Sequence, residues 1–166
     1  MRIPIRKPGK YTHLKNDPCL TIAKINEFKA EFEKLKKNVQ PKLADEVRRL
    51  AQLGDLSENA AYQIAKGKLR GINQRIINLE NIIKKAIVIK TPKDNKIVQL
   101  GSLVALEISG VKNIYQILGS SEADPLKGII SHNSPIGAAI IGKNVGADII
   151  IRLKNKNLKC KIIKIE

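Results

Sequence analysis

The amino-acid sequence predicts an α+β protein, in which an N-terminal antiparallel α-helical coiled coil precedes a small domain of antiparallel sheet plus one helix. Three observations predict it. Apolar residues recur at steps of three and four from Ile25 to Leu53. A second such series runs from Ala65 to Ala86, beyond a short polar stretch. Past residue 90 the pattern changes to short apolar runs divided by turn residues.

Residues 1–20 carry Pro4, Pro8, Gly9 and Pro18 among basic residues, a density that prevents regular structure and predicts an extended basic arm. Residues 21–90 are the coiled-coil hairpin. Thr21 is a plausible N-cap, and Ile25, Phe28, Phe32, Leu35 and Val39 form a seam that continues through Leu43, Val47, Leu50 and Leu53. Pro41 interrupts it and should kink the helix, because proline lacks a backbone donor and crowds the preceding turn. A helix from about Thr21 to Leu53 is roughly 50 Å long at 1.5 Å per residue. Gly54 stops it, and Ala65, Leu69, Ile72, Ile76, Leu79, Ile83 and Ala86 form the second seam. Two helices joined by two or three residues must run antiparallel.

Residues 91–166 make the second domain, with Thr91–Lys96 as linker. Strands are predicted at Ile97–Leu106, Ile114–Leu118, Ile129–Ser131, Asp148–Leu153 and Leu158–Ile165, the last two joined by a turn at residues 154–157. Ser134-Pro135 followed by Ile136–Ile141 and Gly142 reads as a short helix with Ser134 as N-cap, Pro135 at its first position and Gly142 as its stop.

Composition narrows the function. The chain has 31 Lys and Arg against 15 Asp and Glu, a formal net charge of +16. Such a surplus attracts phosphate backbones or an acidic partner and gives non-specific DNA binding at low salt. The competing reading is compositional: Lys, Ile and Asn are abundant throughout, as an AT-rich genome would produce regardless of function. Cys19 and Cys160 are far apart and have no Cys or His at metal-ligand spacing, so neither a zinc site nor a disulfide framework is indicated and a reducing cytoplasm fits best. No stretch suits a signal peptide or a membrane span.

The residues joining the two seams read LGDLSENAAY. Asp55 can cap the second helix, with Glu58 three residues on closing a capping-box-like pair, both favoured by the helix dipole. Alternatively, two carboxylates at the end of a long basic rod form an exposed acidic point suited to a hard divalent cation. Spacing alone leaves both readings open. Arg48, Arg49, Lys66, Lys68, Arg70 and Arg75 cluster toward this tip, where phosphate contacts would hold RNA without reading sequence, and an ordinary solvated face accounts for them equally well.

LGDLSENAAY, continuing into QIAKGKLRGINQRIINLE, resembles the hairpin tip and second helix of the bacterial GreA/GreB transcript-cleavage factors. ISHNSPIGAAIIGKNVGADIIIRL is similar to that family's C-terminal domain, so the resemblance covers roughly residues 21–166. It implies an FKBP-like second domain that docks at the secondary channel of bacterial RNA polymerase, with the coiled coil entering the channel. It implies an activator of polymerase-catalysed cleavage, acting as a monomer on the RNA 3′ end of backtracked complexes, and not an enzyme in its own right. By the same analogy Asp55 and Glu58 are the catalytic acids and supply ligands for a second Mg2+ shared with the polymerase. Lys66, Arg48, Arg49 and Arg70 would meet RNA, and Gly54, Asn59 and Tyr62 would support the tip. Where many relatives read ENAEY or ENADY, this chain has Ala61 in place of a third acid. SENAAYQ followed by LRGI leans toward the GreB branch.

Three rivals remain. Some relatives occupy the channel as inhibitors, against which both acids argue. Prolyl isomerase activity rests on fold analogy alone, and after residue 90 only Tyr115 supplies an aromatic for such a pocket. Generic nucleic-acid binding would be separated from polymerase docking by salt titration.

Overall fold

The structure, a computed structural model, describes residues 17–166 apart from 55, 57, 91, 93, 94, 109 and 153–156, and leaves the side chain of Arg152 undescribed. The predicted arm at residues 1–16 therefore lies outside the described residues. Its last part does not follow the prediction: β1 (Cys19–Leu20) pairs in parallel with β2 (Ile87–Val88). Leu20 is fully buried there against Ile25, Phe28 and Leu79, which explains why this short stretch is ordered.

Helix α1 (Ile22–Lys34) starts at Thr21, whose Oγ1 accepts from the Lys24 N–H at 3.2 Å. It passes through a π-helical turn, Leu35–Val39, into α2 (Gln40–Ala51). Proline at position 41 has no N–H to offer the carbonyl four residues back, and the Gln40 N–H bonds instead to the Leu35 carbonyl. The predicted kink is thus a widened turn immediately before the proline. Helix α3 (Ala60–Lys85) returns beside them, burying Ala65, Ile76 and Leu79. Two polar ties hold the helices in register: Gln40 Nε2 donates to Asn73 Oδ1 at 2.8 Å, and the Arg75 guanidinium makes two 2.8 Å bonds to the Glu31 carboxylate. The seam ends sooner than its sequence suggests, since Leu50 is buried while Leu53 is 70% exposed. The joining segment is residues 52–59, longer than the two or three residues expected.

The second unit is a five-stranded sheet in the order β5-β4-β3-β7-β6. Its strands are β3 (Leu103–Ile108), β4 (Val111–Leu118), β5 (Ile129–Ser131), β6 (Asp148–Arg152) and β7 (Asn157–Ile165). All neighbours are antiparallel except β4 and β5, which run parallel. The sheet is therefore mixed. Residues 97–106 do not form one strand: Ile97 makes an isolated bridge to Asn144, and a turn at Gln99–Ser102 intervenes before β3. Gly101 allows this turn by adopting φ +98°, and Ser102 Oγ accepts from the Gln99 N–H at 3.0 Å. β4 begins three residues earlier than predicted, and the 154–157 turn falls mostly outside the described residues.

One face of the sheet carries Val104, Leu106, Ile117, Ile130, Ile151 and Ile162 into a core closed by α4 (Pro135–Ile140), where Ile140 is fully buried. Ser134 caps α4 by accepting from the Gly137 N–H, and Gly142 follows with φ +76°, as the sequence predicts. In β7 the inward alternation of Cys160 and Ile162 resumes at Ile165, because the extra residue Ile163 bulges opposite Ala105 and Leu106. Cys19 and Cys160 are both free thiols. Among the described residues no helix is long and apolar enough to cross a membrane.

Residues 17–21 also bind the sheet unit. The Asp17 carboxylate, only 6% exposed, accepts from the Ser120 N–H at 2.7 Å, from Ser120 Oγ at 3.2 Å and from the Cys19 N–H at 3.0 Å. His132 Nδ1 stands 3.3 Å away. The Thr21 N–H and hydroxyl both donate to the Glu122 carboxylate, at 2.6 and 2.7 Å. Between these ties the Cys19 carbonyl lies against Gly119 so closely that a Cβ on Gly119 would sit 1.9 Å from it. Only glycine fits at that position.

Candidate functional site

At its C-terminal end α2 unwinds one bond at a time. Gln52 N–H reaches the Arg48 carbonyl at 3.2 Å, Leu53 that of Leu50 at 3.3 Å and Gly54 that of Ala51 at 3.4 Å. Gly54 then adopts φ +79°, the left-handed conformation that ends helices and that costs glycine nothing. Beyond it Leu56 and Glu58 are exposed, and Asp55 lies outside the described residues.

Asn59 starts the returning helix. Its Oδ1 accepts from the Tyr62 N–H at 3.0 Å, and the Asn59 carbonyl receives the Gln63 N–H at 3.1 Å. The capping-box reading of Asp55 and Glu58 is thereby corrected. Helix α3 begins at Ala60, Glu58 precedes its cap, and no acid occupies its first turn. The Asn59 amide oxygen instead satisfies a first-turn N–H, that of Tyr62. No hydrogen bond or ion pair joins Glu58 to another described residue, so its carboxylate is left to solvent.

The residues around the tip have distinct surroundings. Tyr62 is half-buried, and the Lys66 ammonium lies 5.5 Å from its ring centroid, within cation–π range. Arg48 makes a 3.0 Å pair with Asp45 whose partners are 73% and 70% exposed, a weak tie that leaves the guanidinium accessible. Arg49, Lys68 and Arg70 are exposed. Arg75 differs: its bidentate bond to Glu31 commits it to holding the hairpin together, and those hydrogen bonds pull Glu31 below the usual carboxylate range. Arg75 therefore leaves the group of prospective RNA contacts. Two residues sequence reasoning did not single out join the site: Gln63, whose Nε2 donates to the Leu56 carbonyl at 2.8 Å, and the exposed Ile64. No motif signals Gln63, since its bond joins the helix to a loop residue seven positions earlier.

The sheet unit offers little for a peptide-isomerising pocket. Its open face has a hollow of about 550 Å3 lined by Glu107, Asp148, Lys159 and Lys161 with Ile149 and Ile150, and no aromatic among the lining residues.

The model of the transcription elongation factor GreA/GreB C-terminal region matches residues 93–166, and that of the transcription elongation factor N-terminal region matches residues 19–88. The transcription elongation factor GreA of Staphylococcus carnosus is 36% identical over 150 residues, covering 89% of this chain and 94% of its own. That of Thermomicrobium roseum is 34% identical over 167 residues, covering 99% and 97%. Both bear the GreA name, so they do not repeat the lean of the tip sequence toward GreB. Among solved structures, the GreA factor homolog 1 (Gfh1) of Thermus thermophilus aligns with 89% of this chain and 97% of its own at 24% identity and a TM-score of 0.40.

Proposed function

The chain belongs to the GreA/GreB family of transcription elongation factors, and from that premise we propose that it reactivates backtracked RNA polymerase by inserting its hairpin tip through the secondary channel. The polymerase cleaves the RNA 3′ end, and this chain acts as the activator of that reaction. The observation that carries the proposal is the division of labour at the tip. Asn59 performs the capping, and the exposed Glu58 carboxylate is left without a structural task among the described residues.

Carboxylate oxygens are the donors that magnesium prefers. Among the described residues no three His, Cys, Asp or Glu side chains gather into a metal site. The donors that the family resemblance implies are a pair, Asp55 and Glu58, which suits an ion completed by the polymerase's own ligands. A second Mg2+ held there supplies water activation and charge neutralisation at the leaving oxygen. The chain's own residues do the rest. Asp55 and Glu58 supply negative charge in the segment that joins the two long arms of the hairpin. Lys66, Arg48, Arg49 and Arg70 hold the extruded RNA by its phosphates, Lys66 being steadied over the Tyr62 ring. Gly54, Asn59 and Tyr62 shape the loop.

The test is cleavage of the 3′ segment in backtracked bacterial complexes, with full-length protein across a range of magnesium concentrations. The Asp55→Asn, Glu58→Gln double variant should lose most of the stimulation, at least about a hundredfold, while competing with the unaltered protein for polymerase. Full stimulation by that folded variant would sink the metal-ligand assignment.

A further inference from the structure

Both arms of the hairpin depart from a straight helix at one height. In the outgoing arm the π-helical turn Leu35–Val39 stands just before Pro41, so the ladder is widened and one donor is missing. In the returning arm α3 carries Gly67 and Gly71 on one face. The 2.8 Å bond from Gln40 to Asn73 fixes the relative level: Pro41 directly follows Gln40, and Gly71 lies two residues before Asn73. Neither glycine is explained by packing, because a Cβ built on either would meet no atom within 4 Å. What glycine adds there is backbone freedom, at a cost in helix stability relative to alanine. Packing changes at the same height. Toward the sheet unit Ile25, Phe28 and Leu79 are buried together, with Phe32 and Leu35 against them, and the Glu31–Arg75 pair braces the arms. Toward the tip only Leu50 and Ala65 are buried among the described residues, and no described side-chain bond joins residues 41–51 to residues 60–72.

We infer that the hairpin is jointed at the level of Gln40 and Asn73, so that residues 41–51 and 60–72 swing together as one distal body about a braced base. A helix bends where its ladder is thinned, at proline, at glycine or at a π-turn. In a rod of two helices, one weakened arm is splinted by an intact neighbour. Here both arms weaken together, and the Gln40–Asn73 bond keeps them from parting where they bend. Beyond it they stay paired through Leu50 and Ala65 and the half-buried Leu43, Val47, Leu69 and Ile72, so the distal body moves as a unit. The joint belongs to the chain itself. Its use, which is to aim the tip once the sheet unit has docked, rests on the function proposed above.

The experiment compares the full chain with its Gly67→Ala, Gly71→Ala double variant, in which alanine enters open space and every charge is kept. Residual dipolar couplings of the free 15N-labelled proteins are measured first. In the unaltered chain the couplings of the distal helices should show a smaller alignment magnitude than those of residues 22–34 and 75–85, and in the variant the two magnitudes should converge. Amide exchange between Lys66 and Ile72 should slow by about fivefold for each glycine replaced. Equal magnitudes in the unaltered chain overturn the joint, as do a distal order or an exchange rate that the variant leaves unchanged. Cleavage in backtracked complexes is measured second. Bending costs the variant the same factor, so its maximal rate at saturating factor should fall at least about fivefold, with the half-saturating concentration unchanged because the sheet unit is untouched. A full maximal rate in a variant whose halves have converged overturns the aiming role. Normal cleavage by the Asp55→Asn, Glu58→Gln variant would instead overturn the proposed chemistry and leave the joint standing.

Discussion

At Asn59 a single amide decides where α3 begins. Asp55, Ser57 and Asn59 all have side chains able to cap a helix, they fall within five positions, and the apolar series that would locate the first turn starts only at Ala65. The capping-box spacing of Asp55 and Glu58 therefore suggested a boundary that the structure moves to Ala60. The tip itself was legible as a motif. Its internal bonding was not, because a side chain reaching seven residues back leaves no periodic trace. Asn59→Ala should lower global stability by about 1 kcal/mol, and Asn59→Asp should be nearly neutral, in urea unfolding followed by circular dichroism. An equal loss in both would mean that the amide does more than cap.

The helices were legible as a seam and less so as geometry. Steps of three and four revealed two antiparallel partners, but between Leu35 and Val47 the apolar residues fall at 35, 39, 43 and 47, three successive steps of four. A regular seam alternates its steps, and a run of fours signals a turn that absorbs extra chain. That turn is Leu35–Val39, wound as a π-helix just before Pro41. Pro41→Ala returns a donor to the ladder and should raise stability by about 1 kcal/mol in the same unfolding measurement, much less than proline costs in an unrelieved helix. A decrease would show that the wide turn is maintained for some reason other than the missing N–H. In the sheet, strand positions followed from β-branched runs. The parallel pairing of β4 and β5 did not, because the two strands are joined by a loop with no period of its own.

For the molecule as a whole the contacts least visible in sequence are those between residues 17–21 and the sheet unit. Asp17 and Ser120 are 103 residues apart, and Asp-Pro in a proline-rich stretch reads as loop. Burial alone would push the Asp17 carboxyl up. The Ser120 N–H, then the Cys19 N–H and the His132 charge, outweigh burial and hold it below the ordinary carboxylate value. A depressed folded value means that this group stabilises the fold fully above the unfolded aspartate pKa of about 3.9, and that the contribution disappears as pH falls through the lower folded value. Hydrogen-exchange protection at the Ser120 amide, relative to its intrinsic rate, should accordingly fall only in acid below that range, and Asp17→Ala should lower it at neutral pH. A titration of Asp17 at or above 3.9 would contradict this account of the junction.

That long-range clip also sets a timetable. A ribosome adding about 5–20 residues per second needs on the order of 5–20 s to produce the stretch from Asp17 to Ser120. Throughout that interval the nascent hairpin can pair its two helices through local contacts, while the partners of Asp17 and Thr21 have yet to be made. The hairpin can thus form early, while its attachment at the base must wait for residues made about a hundred positions later.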